Sequence, residues 1–153
     1  MIQIIAMGHK MPTWVNVAFE EYAKRLSPKW LELIEIPLLS RSKNTSIEPL
    51  IKREGERMLA AIPKQNWVIA LEIKGKTWNT EQLAEQIKTW QNKSISVSLL
   101  IGGPEGLAPE CLKRADQRWS LSPLTLPHPL VRIILIEQCY RTWSLLGGHP
   151  YHK

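Results

Sequence analysis

The segment from Leu121 to Arg132 constrains the fold more than any other stretch, because it contains three prolines in seven residues. Prolines at this density exclude both an α-helix and a central β-strand. The segment is nevertheless apolar, and we expect it to be held inside the fold by Leu121, Leu124, Leu126 and Leu130. Buried irregular backbone must have its N–H and C=O groups satisfied, and a bound ligand is one way to satisfy them. The sequence therefore predicts a ligand site at this segment.

Three glycines, Gly102, Gly103 and Gly106, occur close together directly after an apolar stretch that predicts a strand. They mark a second interruption of regular secondary structure. Glycines at the end of a parallel strand let the main chain approach a ligand without interference from Cβ atoms. A tight strand-to-helix turn without a ligand would explain the same three residues. Their spacing differs from the GxGxxG pattern of dinucleotide-binding folds, which argues against that class.

Apolar runs and helical periodicities alternate along the chain and predict five strands and five helices. The strands are expected at residues 2–7, 30–36, 67–73, 95–101 and 119–121, and the last helix at 129–146. Thr45 and Glu48 have the spacing of a capping box, and Asn79 or Thr80 is expected to cap the third helix. The alternation predicts a single α/β domain over residues 1–153, with a mainly parallel sheet and helices on both faces.

Three loops at one edge of that sheet are expected to share a binding crevice. In sheets of this class, ligands bind beyond the carboxyl ends of the strands. The loops after the third, fourth and fifth strands begin near Leu71, Gly102 and Leu121. The last helix is apolar around much of its circumference, so we expect part of it to lie in a subunit interface.

The charge of the chain favours a polyanionic partner, because 20 lysines and arginines against 14 acidic residues give a net charge of +6. Solvated helix faces would explain any single basic cluster equally well. Cys111 and Cys139 have neither a disulfide framework nor a metal-ligand spacing, so we expect reduced thiols and a cytoplasmic location. We expect no signal peptide and no membrane span.

Several polar residues near the C-terminus are candidate functional groups. His128 lies between two prolines that fix its backbone, although a turn histidine bonded to a carbonyl would have the same sequence. Glu137 and Arg141 are four residues apart, the spacing of an intrahelical ion pair. Residues 147–153 combine glycines, histidines, a tyrosine and a lysine. Most such tails are disordered, but these side chains also suit contacts with RNA.

One stretch has the form of a phosphate-binding loop but is not expected to act as one. Residues 70–77 fit a relaxed form of that motif, with Ala70 in place of the first glycine. A phosphate loop needs flexible residues whose N–H groups converge on the anion, whereas the residues after Ala70 continue a strand. Nucleotide hydrolysis is therefore the less favoured chemistry.

Four motifs together resemble one enzyme family. They are IGGPEG at residues 101–106, LTLPHPLVR at 124–132, EQCYR at 137–141 and HPYHK at 149–153. In this order they are similar to the bacterial SPOUT methyltransferases that act on N3 of a pseudouridine in the large-subunit rRNA. The resemblance extends to residues 7–12 and 21–26. It departs at Gly148, where some relatives have asparagine.

The resemblance implies a C-terminal trefoil knot, a homodimer and S-adenosylmethionine as the cofactor, with no metal. It also implies that the substrate is a pseudouridine in 23S rRNA on the assembled ribosome. By motif match, the knot loops would bind the cofactor through Leu71, Gly102, Gly103, Gly106, Leu121, Ser122, Pro123, Leu124, Thr125 and Leu126.

Methyl transfer from a sulfonium mainly requires alignment with N3 and stabilisation of the deprotonated base. The candidate catalytic residues are His128, Arg132, Glu137, Arg141, His149, Tyr151 and His152. The histidines and the glutamate are candidates to remove the N3 proton, the arginines to stabilise the anion, and the tyrosine to stack on the base. We expect the tail of one subunit to complete the cofactor pocket of the other. The alternatives are a non-catalytic rRNA-binding protein and a nucleotide hydrolase.

Overall fold

Five strands and five α-helices alternate along the chain. The computed structural model describes the backbone of residues 1–152 and the side chains of residues 1–151. The strands are β1 Ile2–Met7, β2 Leu31–Ile36, β3 Trp67–Thr77, β4 Val97–Ile101 and β5 Gln117–Ser120. The helices are α1 Thr13–Ala23, α2 Ile47–Ala61, α3 Thr80–Asn92, α4 Pro109–Arg114 and α5 His128–Leu146. A short 3-10 helix, Pro150–His152, follows α5.

The five strands form one sheet in the order β2-β1-β4-β3-β5, and every neighbouring pair is parallel. Helices α1, α3 and α5 pack on one face, and α2 and α4 pack on the other. Strands β1 and β4 are buried along their whole length, because both of their faces are covered. The predicted α/β class, with a parallel sheet and helices on both faces, is confirmed.

Strand β3 runs past its predicted end and contains an irregularity. Its pairing with β5 shifts between Leu71 and Lys76. A Cβ atom on Gly75 would lie 2.6 Å from the backbone nitrogen of Trp119, so only glycine fits beside β5 at this position. Such a bulge bends a strand and redirects the side chains around it. The residues just after Leu71 are thereby set apart from the regular ladder.

One of the two predicted helix caps is wrong. Helix α2 begins after Ser46 without a side-chain cap, and the Thr45 hydroxyl instead accepts the N–H of Ser42 at 2.9 Å. The Asn79 cap on α3 is confirmed. The Asn79 side chain accepts the N–H of Gln82 at 2.8 Å, and the Gln82 side chain accepts the N–H of Asn79 at 2.9 Å.

The proline-rich segment is irregular as predicted, but the expectation that all of it is buried is wrong. Leu124 is 73% exposed. The reason lies in two serines that satisfy nearby backbone groups. Ser120 Oγ donates to the carbonyl of Ser122 at 2.9 Å, and Ser122 Oγ accepts the N–H of Leu124 at 3.0 Å. Because local side chains meet these hydrogen-bonding needs, the middle of the segment can remain at the surface.

Candidate functional site

The carboxyl ends of β3, β4 and β5 border a single cavity of about 630 Å³. Pockets that bind small molecules usually have volumes of roughly 300 to 1,000 Å³. The three loops that were expected to share a crevice do lie around one cavity. Because parallel strands end at the same edge of the sheet, segments far apart in the sequence are brought together there.

Nine of the ten residues predicted to bind a cofactor line this cavity, and Pro123 does not. The nine are Leu71, Gly102, Gly103, Gly106, Leu121, Ser122, Leu124, Thr125 and Leu126. Residues outside the predicted set also line it, namely Glu72, Ile73, Ile101, Pro104, Leu107, Trp119, Ser120, Pro127, His128 and Val131. Of these, only His128 had been singled out for another role. The walls are mostly apolar, with few polar side chains.

The glycine turn after β4 leaves no room for side chains on its inner side. A Cβ atom on Gly102 would lie 2.5 Å from the carbonyl carbon of Gly106 and 2.7 Å from the nitrogen of Leu107. Gly106 itself has a φ of +83°, in the left-handed region that favours glycine. The N–H of Gly106 donates to the carbonyl of Gly103 at 3.0 Å and closes the turn. One wall of the cavity is therefore bare main chain.

Arg41, in the loop between β2 and α2, holds the glycine turn after β4 in place. Its guanidinium donates to the two carboxylate oxygens of Glu105 at 2.9 and 2.7 Å and to Glu54 Oε1 at 2.8 Å. The Glu54 side chain is only 7% exposed, so Arg41 neutralises a carboxylate that would otherwise be buried alone. Hydrogen bonds from Arg41 also lower the pKa of the Glu105 carboxyl. The turn is thus fixed to α2 through charged groups.

His128 is the first residue of α5, and it lines the cavity. Partial burial, together with the nearby guanidinium of Arg132, lowers the pKa of its imidazole. The ring is therefore neutral at pH 7 and available to accept a proton. Within the described part of the chain its imidazole makes no hydrogen bond to a carbonyl, so the alternative of a turn histidine finds no support.

Arg132 is 1% exposed and does not line the cavity. Its Nη1 pairs with Glu35 Oε2 at 2.5 Å, and its Nη2 donates to the carbonyls of Gly8 and Met7 at 2.7 and 3.2 Å. These partners engage most of the guanidinium. These contacts join α5 to the end of β1, while Nε of Arg132 is buried without a partner among the described residues. The predicted stabilisation of a substrate anion by Arg132 stays a prediction.

Glu137, Arg141 and Tyr151 form a separate cluster that does not line the cavity of their own chain. Glu137 Oε1 accepts the Nε–H of Arg141 at 2.9 Å and the hydroxyl of Tyr151 at 3.2 Å. The Arg141 guanidinium lies 5.0 Å from the centroid of the Tyr151 ring. The predicted intrahelical ion pair is confirmed. Burial and hydrogen bonding raise the pKa of Tyr151 to about 12, so its hydroxyl stays protonated.

The start of the tail folds back on the end of α5. The N–H of His149 donates to the carbonyl of Ser144 at 2.8 Å, and Ser144 Oγ donates to the carbonyl of His149 at 3.1 Å. Gly148 has a φ of +69°. Asparagine is the other residue that adopts this conformation readily, so backbone geometry accounts for both residues at this position. The candidate side chain of His152 lies outside the described residues.

The remaining titratable groups do not form a metal site. Among the described side chains, no group of three or more His, Cys, Asp or Glu is placed to hold a metal ion. Cys111 and Cys139 are both buried and unpaired, and burial raises their thiol pKa values to about 11 and about 12. Within residues 1–152, none of the helices has the length and apolar character needed to cross a bilayer.

Known proteins similar to this chain agree on one family. The family model described as "Predicted SPOUT methyltransferase" matches residues 1–152. A ribosomal RNA large subunit methyltransferase H of Marinomonas sp. is 56% identical over 153 residues, and that of Azotobacter vinelandii is 55% identical, each with 99% of both chains covered. A solved structure of a probable methylase family protein from Haemophilus influenzae shares the fold, with a TM-score of 0.57 at 10% identity, over 99% of this chain and 70% of that one. This chain belongs to the SPOUT methyltransferase family.

Proposed function

We propose that this protein transfers a methyl group from S-adenosylmethionine to N3 of a pseudouridine in 23S rRNA, on the assembled ribosome. Its relatives at 56% and 55% identity are named as methyltransferases of large-subunit ribosomal RNA. The observation that carries the proposal is the cavity at the ends of β3, β4 and β5, with its wall of bare main chain at Gly102. The net charge of +6 suits a polyanionic substrate.

The cavity has the features that this cofactor requires. Leu71, Leu107 and Leu126 provide apolar surface for an adenine ring, and the backbone of residues 121–126 carries N–H and C=O groups that could pair with its edge. At Gly102 the main chain of Gly106 and Leu107 approaches so closely that a side chain would collide with it, so only glycine keeps the turn in this shape. When bound, the cofactor supplies a methyl group that is already activated by its sulfonium. The task of the protein is to align the base and to remove its proton.

We propose that His128 removes the N3 proton. It lines the cavity, and its lowered pKa keeps the imidazole neutral at pH 7. With the proton on the imidazole, N3 would carry the electron pair that receives a methyl group supplied by a bound cofactor. Glu137 and Tyr151 are hydrogen-bonded to each other, and Glu137 also pairs with Arg141, whereas His128 lies at the cavity itself.

We further propose a homodimer whose interface includes α1 and α5. Trp14 and Val17 on α1 are 55% and 64% exposed, although they are large apolar residues. Helix α1 packs beside α5, on which Leu130 and Leu146 are also exposed. Exposed apolar groups on adjacent helices are typical of a surface covered by a partner.

We also propose that the C-terminal part of the chain forms a trefoil knot. Strand β5 lies at an edge of the sheet, and the chain must return from it to bring α5 beside β1.

The cofactor and the substrate can be tested separately. We expect isothermal titration to show one S-adenosylmethionine bound per chain. Ribosomes carrying an unmethylated pseudouridine should accept the methyl group, whereas ribosomes with uridine at that position should not. Equal methylation of both kinds of ribosome would contradict the proposed substrate. Absence of binding heat would contradict the enzyme proposal and favour a protein that only binds rRNA.

The proposed sharing of a site between subunits predicts complementation. A chain ending before Gly147 lacks the tail, and a Gly102→Ala chain has a damaged cavity, so each should be nearly inactive alone. After the two are mixed and allowed to exchange subunits, a heterodimer would contain one intact site. Random pairing should then restore about a quarter of the wild-type activity. A tailless chain that is active alone, or a mixture no more active than its parts, would show that the tail does not act across the interface.

A further inference from the structure

Two buried polar atoms at the cavity have no partner in the described part of the protein. They are the carboxylate oxygen Oε2 of Glu72 and the indole nitrogen Nε1 of Trp119, and both residues line the cavity. Buried polar groups nearly always form hydrogen bonds. Leaving such a group without a partner is unfavourable, and the cost is larger for a charged group. A pair of such atoms at one cavity indicates that a ligand supplies the missing partners.

The two groups lie on neighbouring strands and are chemically complementary. Leu71 on β3 pairs with Trp119 on β5, and Glu72 is the next residue, at the point where the register of the two strands shifts. The indole of Trp119 is buried and packs against Trp78 with ring centroids 5.0 Å apart, so its direction is fixed. An ionised carboxylate only accepts hydrogen bonds, and an indole N–H only donates. Their ligand must therefore offer a donor and an acceptor near each other.

We propose that Glu72 and Trp119 form a polar subsite for the ribose of the cofactor, an inference that rests on the proposed function. Glu72 accepts hydrogen bonds from the ribose hydroxyls, and the Trp119 N–H donates to an oxygen or ring nitrogen beside them. The position along β3 selects this part of the cofactor. Leu71 borders the adenine in the proposed binding mode, and Glu72 follows it at the register shift, where a strand does not have to turn successive side chains to opposite faces, so the sugar attached to that adenine is the part of the cofactor nearest to Glu72.

Glu72→Ala should abolish the recognition of ribose hydroxyls without lowering the stability of the protein. Wild-type protein should bind adenosine at least about tenfold more tightly than 2′,3′-dideoxyadenosine, because hydrogen bonds to a charged group are lost. In Glu72→Ala the two nucleosides should bind equally well. The ligand-free variant should also melt at the same or a higher temperature than wild type, because a half-buried carboxylate with one buried, unpartnered oxygen is removed. A side chain with only a structural role would lower the melting temperature and would not affect the preference for hydroxyls.

The outcomes are distinguishable. Glu56→Ala, on the exposed side of α2, should leave binding and the preference for hydroxyls unchanged. A preference for adenosine that persists in Glu72→Ala overturns the subsite. It is also overturned if the variant loses affinity for S-adenosylmethionine but not for adenosine, because Glu72 would then face the methionine ammonium. Trp119→Phe should weaken binding of both nucleosides alike, and unchanged affinity would remove the indole from the subsite. A wild-type protein that binds neither cofactor nor nucleoside would instead contradict the proposed function.

Discussion

Replacing Gly102 by alanine is expected to reduce methyl transfer by about 10²-fold, the loss associated with a displacement of roughly 1 Å at a reacting centre. The new Cβ would lie 2.5 Å from the carbonyl carbon of Gly106 and 2.9 Å from its oxygen, and backbone atoms cannot move aside as a side-chain end can. The backbone of the turn would have to shift, and this turn forms one wall of the cavity. We expect titration to show a matching loss of affinity for S-adenosylmethionine.

Gly55→Ala is the matched control for this experiment. Its Cβ would lie 2.5 Å from the Cβ of Ala108, an equally close contact, but Gly55 does not line the cavity. We expect Gly55→Ala to lower the melting temperature, while cofactor affinity per folded molecule stays near that of wild type. If the two variants lost affinity to the same extent, the effect of Gly102→Ala would be one of general stability, and the assignment of this turn to the binding site would be wrong.

Arg132→Met is expected to lower the free energy of unfolding by about 3 kcal/mol, because each buried hydrogen-bonding group left without a partner costs about 1 to 3 kcal/mol. The variant leaves the buried carbonyls of Gly8 and Met7 without a donor. Glu35 contributes less, because its side chain is about one-third exposed and water can replace part of the lost partner. Denaturant unfolding monitored by circular dichroism would measure the change.

Arg53→Met gives the reference for that measurement. Arg53 is exposed on α2, so the same substitution there should change the free energy of unfolding by less than about 0.5 kcal/mol. A similarly small value for Arg132→Met would contradict the role of Arg132 in joining α5 to β1. The rate of methyl transfer by the folded fraction of Arg132→Met would show how far the position of His128, one helical turn earlier, depends on Arg132.

The sequence was sufficient to predict which strand ends lie together. Leu71, Gly102 and Leu121 border the same cavity because the alternation of strands and helices implied a parallel sheet, and parallel strands end at one edge. Their binding roles remain predictions. The confirmed cap at Asn79 and the confirmed pair of Glu137 and Arg141 depend only on neighbours three or four residues away.

Side chains with distant partners could not be predicted in the same way. Arg132 has the sequence context of a residue near a ligand, yet its partners Glu35 and Gly8 come from the first part of the chain, and no local pattern links them. Leu124 was expected inside because it is apolar, but the serine hydrogen bonds that let it stay exposed depend on exact backbone geometry. Glu72 did leave a signal, as the one charged residue in the otherwise apolar stretch 67–73.

The position of β1 inside the sheet, between β2 and β4, has a consequence for synthesis of the protein. The first strand made by the ribosome pairs with β4 on one side, and the carbonyl of Gly8 at its end is bonded to Arg132, a residue made 124 positions later. A nascent chain therefore carries its first strand without those partners until most of translation is over. Since the cavity also needs the segments around residues 102–106 and 121–128, a translation product that ends before residue 121 lacks part of the binding site. The residues that line the cavity are complete only in the last part of synthesis.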